Sequence, residues 1–496
     1  MDRPTRRESS AERPAPSRAP SAPPTERRPL LLRLAGWLLL LAALAAPWIG
    51  GTQTTVPDAR WWLGAMLAGA FLFGLIGRLL TRRGLSLKPA AAVAVLFLLG
   101  CLAWWATQAE PSFATAFAAE HWAYLQASSP LGVFQWPRVE RLGFFACLLL
   151  GFVAAAELGR RESFRRKLTL VIGLSGFSVA IYAAGFAWGG WPALPWTLMG
   201  DGPERFNVCF NHYSGPPACL NLAWPLLVFG GKGGRHWLGW SARLVVVVVM
   251  GFVLLLWPSA AGQAIAVGLF LTGTVWLAAA RRGWFTPKLV CGAIAAVFLA
   301  VFACQWMLVA RMQATQPDGW VSAEATQLSA PARDASLRAM AERRGDHLAL
   351  SAAPDRPSAW LSGARMAGDY PWFGLGPGAW VKRSALYTHD AIVSTFYHYR
   401  QYAHHDLLQM AAEWGGLAAL AAVLLWAGAF WNAAHRDPAQ SAGEAGLILA
   451  LLGVALHSTV DFVLQNPAIQ IWTALLLGLA WSSIRPKAAR NPPAAV

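Results

Sequence analysis

Apolar side chains recur along this chain in runs of roughly 20 residues, long enough to cross the hydrocarbon of a bilayer as single helices. The runs fall near 31–50, 61–80, 89–107, 142–158, 168–188, 215–230, 243–257, 262–280, 288–307, 406–431, 445–463 and 467–483, which predicts twelve spans. Several are short or carry Gly and Pro, which is tolerable where neighbouring helices re-satisfy the backbone. An even count of spans puts both termini on one side. Composition agrees with the pattern: 56% of the 496 residues are hydrophobic and 13% are charged. A soluble globular protein is thereby excluded, and the fold class is an all-α polytopic membrane protein.

Residues 1–29 are rich in Pro, Arg, Ser and Glu with scarcely a large apolar side chain, so they read as a disordered cytoplasmic tail. They are too long and too acidic for a signal-peptide n-region, and the first helix is expected to stay as an anchor. The expected organisation is that tail, helices 1–9 over 30–310, a large external loop over 311–405, helices 10–12 over 406–483, and a second cytoplasmic tail over 484–496.

Charge sets the orientation. The connections 78–88, 158–167, 232–243 and 281–288 together hold fifteen Lys or Arg and one acid, Glu162. The alternate connections 51–60, 107–141 and 189–214 hold four Lys or Arg and six acids. The first set is cytoplasmic by the positive-inside rule, with both termini inside. The net charge of +16 therefore belongs to membrane topology, and no nucleic-acid partner is expected. Tryptophans such as Trp61, Trp62, Trp104 and Trp105 crowd the outer ends of spans, where an indole sits half in headgroups. The six cysteines lie almost entirely within apolar runs without a CxxC, and read as small core hydrophobes.

One connection is unlike the rest. Residues 311–405 carry ten Lys or Arg, eight Asp or Glu and five of the eight tyrosines, and a loop of that length is usually functional or disordered. Its first half, Gln313 to Pro354, is polar and Ala-rich and expected to be partly helical and mobile. Its second half holds Gly374, Gly376 and Gly378 at alternate positions. Alternating Gly permits a tight path with outward N–H groups that can meet an anionic or sugar ligand; the plainer reading is a turn that packs the loop on the bundle. No GK[ST] follows, so a Walker loop is excluded.

Ala403-His404-His405-Asp406 then opens a helix read as passing straight into the membrane, with Glu413 inside the span. At a helix N-terminus an imidazole tends to stay neutral and available as a base, while His405 and Asp406 have the alternative of capping. An intramembrane Glu413 demands a partner. A metal site is not expected, because there is neither HExxH nor a second close His/Cys pair. Arg205, in Asp201-Gly-Pro-Glu-Arg-Phe before the sixth span, is either a snorkelling anchor or a fork for phosphate. His457 and Asp461, four apart, are read as sharing a helix face, as architecture or as part of the site.

Four stretches in order resemble the bacterial O-antigen ligase and O-antigen polymerase superfamily. Arg205 followed by Phe210-Asn211-His212 is similar to its Arg and Phe-x-Asn-x-Asn stretch. Arg356-Pro-Ser-Ala-Trp360 and Pro371-Trp-Phe-Gly-Leu-Gly-Pro-Gly378 resemble its Arg-x-x-x-Trp and Pro-x-x-Gly-x-Gly-x-Gly segments. His404-His405-Asp406-Leu-Leu-Gln409 through Glu413-x-Gly415 resembles its His-Asn-x-x-Leu-Gln…Glu-x-Gly signature, and Asp461-Phe462 fits some members. Two departures stand out: the outer turn Pro258-Ser-Ala-Ala-Gly262 lacks the Ser-Arg pair common there, and His405 replaces the signature Asn.

The resemblance implies a GT-C-like architecture in the bacterial inner membrane, with the loop facing the periplasm. It implies metal-independent, cofactor-free and inverting transfer of a glycan from undecaprenyl diphosphate to a glycan, lipid A core or protein acceptor. His404 would act on the acceptor hydroxyl, and Arg205 with Arg356 or Arg365 would hold the diphosphate. Asn211, Gly374, Gly376, Gly378, His405, Asp406 and Glu413 would line the substrate. Ligase, polymerase and protein O-oligosaccharyltransferase remain open, as does a scaffold that only binds lipid-linked sugar. A solute transporter is disfavoured by the absence of internal repeats.

Overall fold

The computed structural model describes residues 30–50, 59–81, 87–106, 138–192, 210, 214–230, 239–257, 259–282, 286–315, 355–380, 402–435 and 438–482. Both tails, Arg205, Asn211 and the mobile half expected within the long loop lie outside the described residues, apart from the first few positions of that half. The described residues form helices α1 (Leu30–Ile49), α2 (Ala59–Leu80), α3 (Leu87–Ala106), α4 (Arg138–Leu158), α5 (Glu162–Trp188), α6 (Gly215–Phe229) and α7 (Trp240–Leu256). After these come α8 (Ala260–Arg281), α9 (Pro287–Thr315), α10 (Asp355–Asp369), α11 (Asp406–Trp414), α12 (Gly416–Ala434), α13 (Pro438–Ser458) and α14 (Pro467–Trp481).

Eight of these helices are long and apolar enough to cross a membrane, and four shorter apolar helices (α6, α7, α13 and α14) pack among them. The protein is an all-helical polytopic membrane protein. Its centre is built from α6, α13 and α14: every residue of α6 is buried, as is every position from Glu444 to Ala455 of α13 and most of α14. Around them α6 packs on α5 and α13, α14 on α4 and α1, and α1 on α2. Lipid cannot drive helices together by the hydrophobic effect, so close packing and hydrogen bonds must do it. A Cβ on Gly176 would sit 2.2 Å from that of Ala223, so α5 and α6 touch backbone to backbone. The Trp472 indole N–H donates to the Ala43 carbonyl at 2.7 Å, and Ser175 Oγ to Leu44 at 2.9 Å. Leu72, Val245, Phe252, Leu271 and Leu299 point outward as a lipid-facing surface requires.

Ion pairs close one end of the bundle. Arg78 meets Glu157 at 2.7 Å, and Glu157 also meets Arg160 at 3.5 Å. Buried Arg165 pairs with Glu444 and donates to the Leu479 carbonyl at 3.2 Å. At the other end stand α10, α11 and the turn between α13 and α14.

Two expected spans are corrected. The run 406–431 is not one helix: Gly415 takes φ +86° and divides it into α11 and α12, so Glu413 lies in a short helix before the span. The eleventh expected span ends at Ser458 rather than running to 463, and is followed by a turn and a 3-10 segment, Val463–Gln465. The apolar run carries through both breaks because Gly415 and Gly416 add no polar side chain at the first, and Val460, Phe462 and Val463 outweigh Thr459 and Asp461 at the second. At the other boundary α9 runs past its expected end at 307 to Thr315.

Candidate functional site

The helix α11 is the platform of the site, and the chain around it explains its placement. His405 is its N-cap: backbone extended at φ −164°, its Nδ1 accepts the Leu408 N–H at 3.2 Å. Asn is among the best N-caps because its side-chain oxygen accepts from N2 or N3. A neutral imidazole does the same work, which accounts for His405 where the resembled signature has Asn. Burial lowers the His405 pKa to about 4, so the ring is neutral and able to accept. Asp406 reaches across to the 3-10 segment, accepting the Leu464 N–H at 2.8 Å and Gln465 Nε2 at 3.0 Å. Burial pushes the Asp406 carboxyl up to about 8 against those two hydrogen bonds. Both residues hold α11 in place.

His404 is the one non-glycine residue with positive φ among the described residues, at +52°. That left-handed conformation is uncommon for a residue with a Cβ and costs on the order of 1–3 kcal/mol. Three contacts offset it. The Trp360 indole N–H donates to the His404 carbonyl at 3.0 Å, Phe462 lies edge-on at 4.9 Å, and His404 Nδ1 stands 3.1 Å from Asp461 Oδ1. Asp461 is fully buried, its Oδ1 also accepts the Phe462 N–H at 2.9 Å, and its Oδ2 meets Arg356 Nη2 at 3.3 Å. A carboxylate with no exposure is thus held between an imidazole and a guanidinium from two other elements. Hydrogen bonding to Asp461 favours the proton on Nδ1, which leaves the lone pair on Nε2.

Arg365 is nine positions after Arg356 on α10, half a turn out of phase at 3.6 residues per turn. One helix cannot aim both at the same point. Asp461, read as a helix-face partner of His457, instead lies in the turn after α13. The two residues are joined through the backbone, Asp461 N–H to the His457 carbonyl at 2.9 Å. The His457 ring is buried, and neither of its nitrogens has a hydrogen-bond partner among the described residues. The sequence held one signal for this: Asn466-Pro467 is a helix-start pair, and Asn466 caps α14, so the residues before it belong to a turn.

The three alternating glycines take positive φ, and their N–H groups point into the protein. Gly374 donates to the Tyr370 carbonyl, Gly376 to the Glu413 carbonyl at 2.7 Å, and Gly378 to Glu413 Oε2 at 2.9 Å. Glu413 accepts a further N–H from Trp380 at 3.1 Å and lies 3.8 Å from Arg141. The turn therefore closes the C-terminal end of α11, with the Gly376 and Gly378 N–H groups spent on Glu413 and that of Gly374 on Tyr370. Beneath the turn, Ala359, Met366, Leu375, Trp380 and Ala412 form a small apolar core separate from that of the bundle.

On a different side of α11, Asp406, Gln409, Met410 and Glu413 line a cavity of about 780 Å³. Its walls are apolar faces of α4, α9, α12 and α14, including Phe144, Phe152, Phe298 and Trp426, and its charged and aromatic polar lining includes Arg60, Arg141 and Tyr402. Walls this apolar suit hydrocarbon better than water. Sequence reasoning gave no weight to Arg60 or Arg141, which stand at the starts of separate helices and are joined only by the fold.

A helical bundle in the membrane with a His–Asp–Arg cluster at one end defines the class of protein: a polytopic membrane protein with a polar site where the helices meet the interface. Residues 245–423 match the family model described as O-antigen ligase. That match supports the O-antigen ligase and polymerase superfamily and, with it, an enzyme of glycan transfer. It covers α8 to α11 in full and includes Arg356, the glycine turn, His404 and Glu413, but stops short of Asp461 and begins after Arg205. A comparison with curated proteins gave no match.

Proposed function

We propose that the protein moves a glycan from undecaprenyl diphosphate to an acceptor hydroxyl at the outer face of the bacterial inner membrane. The observation that carries the reading is the His404 imidazole resting on buried Asp461, within a segment that matches the ligase family. Asp461 orients the ring and stabilises the imidazolium that forms, and His404 Nε2 accepts the proton of the acceptor hydroxyl. The hydroxyl oxygen bonds to the anomeric carbon as the bond from that carbon to the phosphate oxygen breaks. The electron pair leaves with undecaprenyl diphosphate, and the anomeric configuration inverts.

Arg356, a third exposed beside Asp461, balances that carboxylate, and in this reaction Arg356 and Arg205 stabilise the charge on the departing diphosphate. The glycine turn, His405, Asp406 and Glu413 shape the site. The test is transfer by purified protein from a lipid-diphosphate glycan. His404→Ala and Arg205→Ala are each expected to abolish release of carrier diphosphate while the protein remains folded. Full transfer by both variants would overturn the assignment. Products separate the acceptors: accumulated single repeats in a deletion strain indicate a polymerase, full-length chains left on the carrier a lipid A core ligase, and loss of glycoprotein a protein acceptor.

A further inference from the structure

We infer that Gln305 of α9 is a positioning residue for the transfer proposed above, on which the inference rests: by holding the Thr459 carbonyl it keeps Asp461 at hydrogen-bond distance from His404. The inward stripe of α9 is otherwise apolar. Val290, Cys291, Ile294, Phe298 and Val301 recur at steps of three and four and are buried or half-buried, while the residues between them are exposed. Gln305 continues the stripe one turn further and is 9% exposed, between exposed Cys304 and Trp306. A buried carboxamide on a membrane helix is expensive, and it persists where it glues one element to another. Its Nε2 donates to the Thr459 carbonyl at 2.6 Å. The partner is a carbonyl, so the end of the amide that faces it is the NH2.

Thr459 stands in the turn that leaves α13. Its N–H and its Oγ1 both donate back to the Leu456 carbonyl, at 3.2 and 2.7 Å, so its own carbonyl is the point at which another element can take hold of the turn. Two residues later Asp461 meets His404 and Arg356 through separate oxygens. The same end of α9 reaches the other two members of the cluster through their supports: Phe302 lies 5.9 Å, centroid to centroid, from the His405 ring, and α9 packs on α10, which carries Arg356. The other end of the carboxamide explains why packing alone does not account for Gln305. Its Oε1 is buried with no hydrogen-bond partner among the described residues, a cost that an apolar side chain of the same length would not carry.

Steady-state transfer by the purified full-length protein from a lipid-diphosphate glycan tests this. Gln305→Met, close in size and without a donor, is expected to lower kcat about tenfold and to leave KM for the lipid-linked glycan within about twofold. Gln305→Met combined with Asp461→Asn should be no slower than Asp461→Asn alone, because both act through one carboxylate. Trp306→Leu, the lipid-facing neighbour, should transfer as the native protein does. Should Gln305→Met melt below the assay temperature, Gln305→Asn, which keeps the carboxamide but falls a methylene short of Thr459, is read for the same outcomes. Unchanged kcat in a variant that melts as the native protein does, a loss confined to KM, or losses that multiply in the double variant each overturn the inference. Labelling of His404 by diethyl pyrocarbonate, followed by mass spectrometry, reads the geometry without turnover: Gln305→Met should change the labelling rate in the same direction as Asp461→Asn. If it does so while no lipid-linked glycan is ever transferred, the positioning role stands and the transferase reading falls. Transfer that depends on His404, with losses that multiply in the double variant, gives the reverse.

Discussion

At the scale of single residues, the proposed reaction divides one task between His404 and Asp461. A positioned base contributes about 10²–10⁴-fold to a transfer rate, so His404→Ala should lower turnover by that order with carrier binding intact. Asp461→Asn leaves a hydrogen-bonding group but loses the charge, and should cost turnover more than binding, with a changed pH–rate profile that a purely structural role would not produce. His405 does different work despite standing next in the chain. His405→Ala should cost about 1 kcal/mol of stability as a lost N-cap, and His405→Asn should keep the cap. The two differ from the native protein in pH response. With its folded pKa lowered to about 4 from 6.5, His405 is neutral when folded and charged when unfolded, so its contribution to stability is lost as pH falls from about 6.5 towards 4. Melting curves at pH 7.5 and pH 5 should therefore show His405→Asn gaining on the native protein at the lower pH. The sequence singles out His404 by its place at a helix start. Its partner is not legible, because nothing in the local pattern tells that the chain leaves the helix after Ser458 and turns a carboxylate towards an imidazole 57 positions earlier.

At the scale of elements, the interlock of α11 with the glycine turn decides whether the site holds its shape. Gly415 allows the break between α11 and α12: with φ +86°, a Cβ there would meet the Trp372 carbonyl oxygen at 2.1 Å. Gly374, at φ +68°, would place a Cβ 2.5 Å from the Glu413 carbonyl carbon. Neither contact is with a flexible side-chain end, so Gly415→Ala and Gly374→Ala should each force the turn off α11, with lower melting temperature and lost transfer. Glu413→Ala removes the acceptor of the Gly378 and Trp380 N–H groups, at about 1–3 kcal/mol for each left unsatisfied. Limited proteolysis near 371–380 should quicken in all three variants, and unchanged cleavage would show that the turn is held by something else. The glycine spacing was readable as a special backbone path, but the partner of that path was not. A ligand and a neighbouring carboxylate make the same demand on an N–H, and only the fold shows Glu413 facing the turn.

At the scale of the whole molecule, apolar run length located the twelve apolar helices of the described bundle, and missed the break at Gly415 because a short amphipathic helix adds little to a hydropathy average. The same patterning implies an orientation that can be tested. The end of the bundle away from His404 holds Arg78, Arg160 and Arg165, the last buried with Glu444, the Leu479 carbonyl and Ser482. Removing one member of such a pair costs about 3–5 kcal/mol, because the other charge is left buried alone. Glu444→Gln should therefore lower the melting temperature, and Arg165→Met with Glu444→Leu should recover much of the loss. If that end faces the cytoplasm, a reporter fused after Val496 or before Met1 is active only as a cytoplasmic reporter. A Trp372→Cys substitution, on the exposed rim of the glycine turn, is then labelled from outside. Relocating charge gives the stricter check. Replacing Arg160, Arg161, Arg166 and Lys167 together should weaken the inside preference of the α4–α5 connection, since orientation follows Lys and Arg counts near the helix ends. A Trp372→Cys label accessible only from the cytoplasm would place the site on the wrong face for a carrier presented outside.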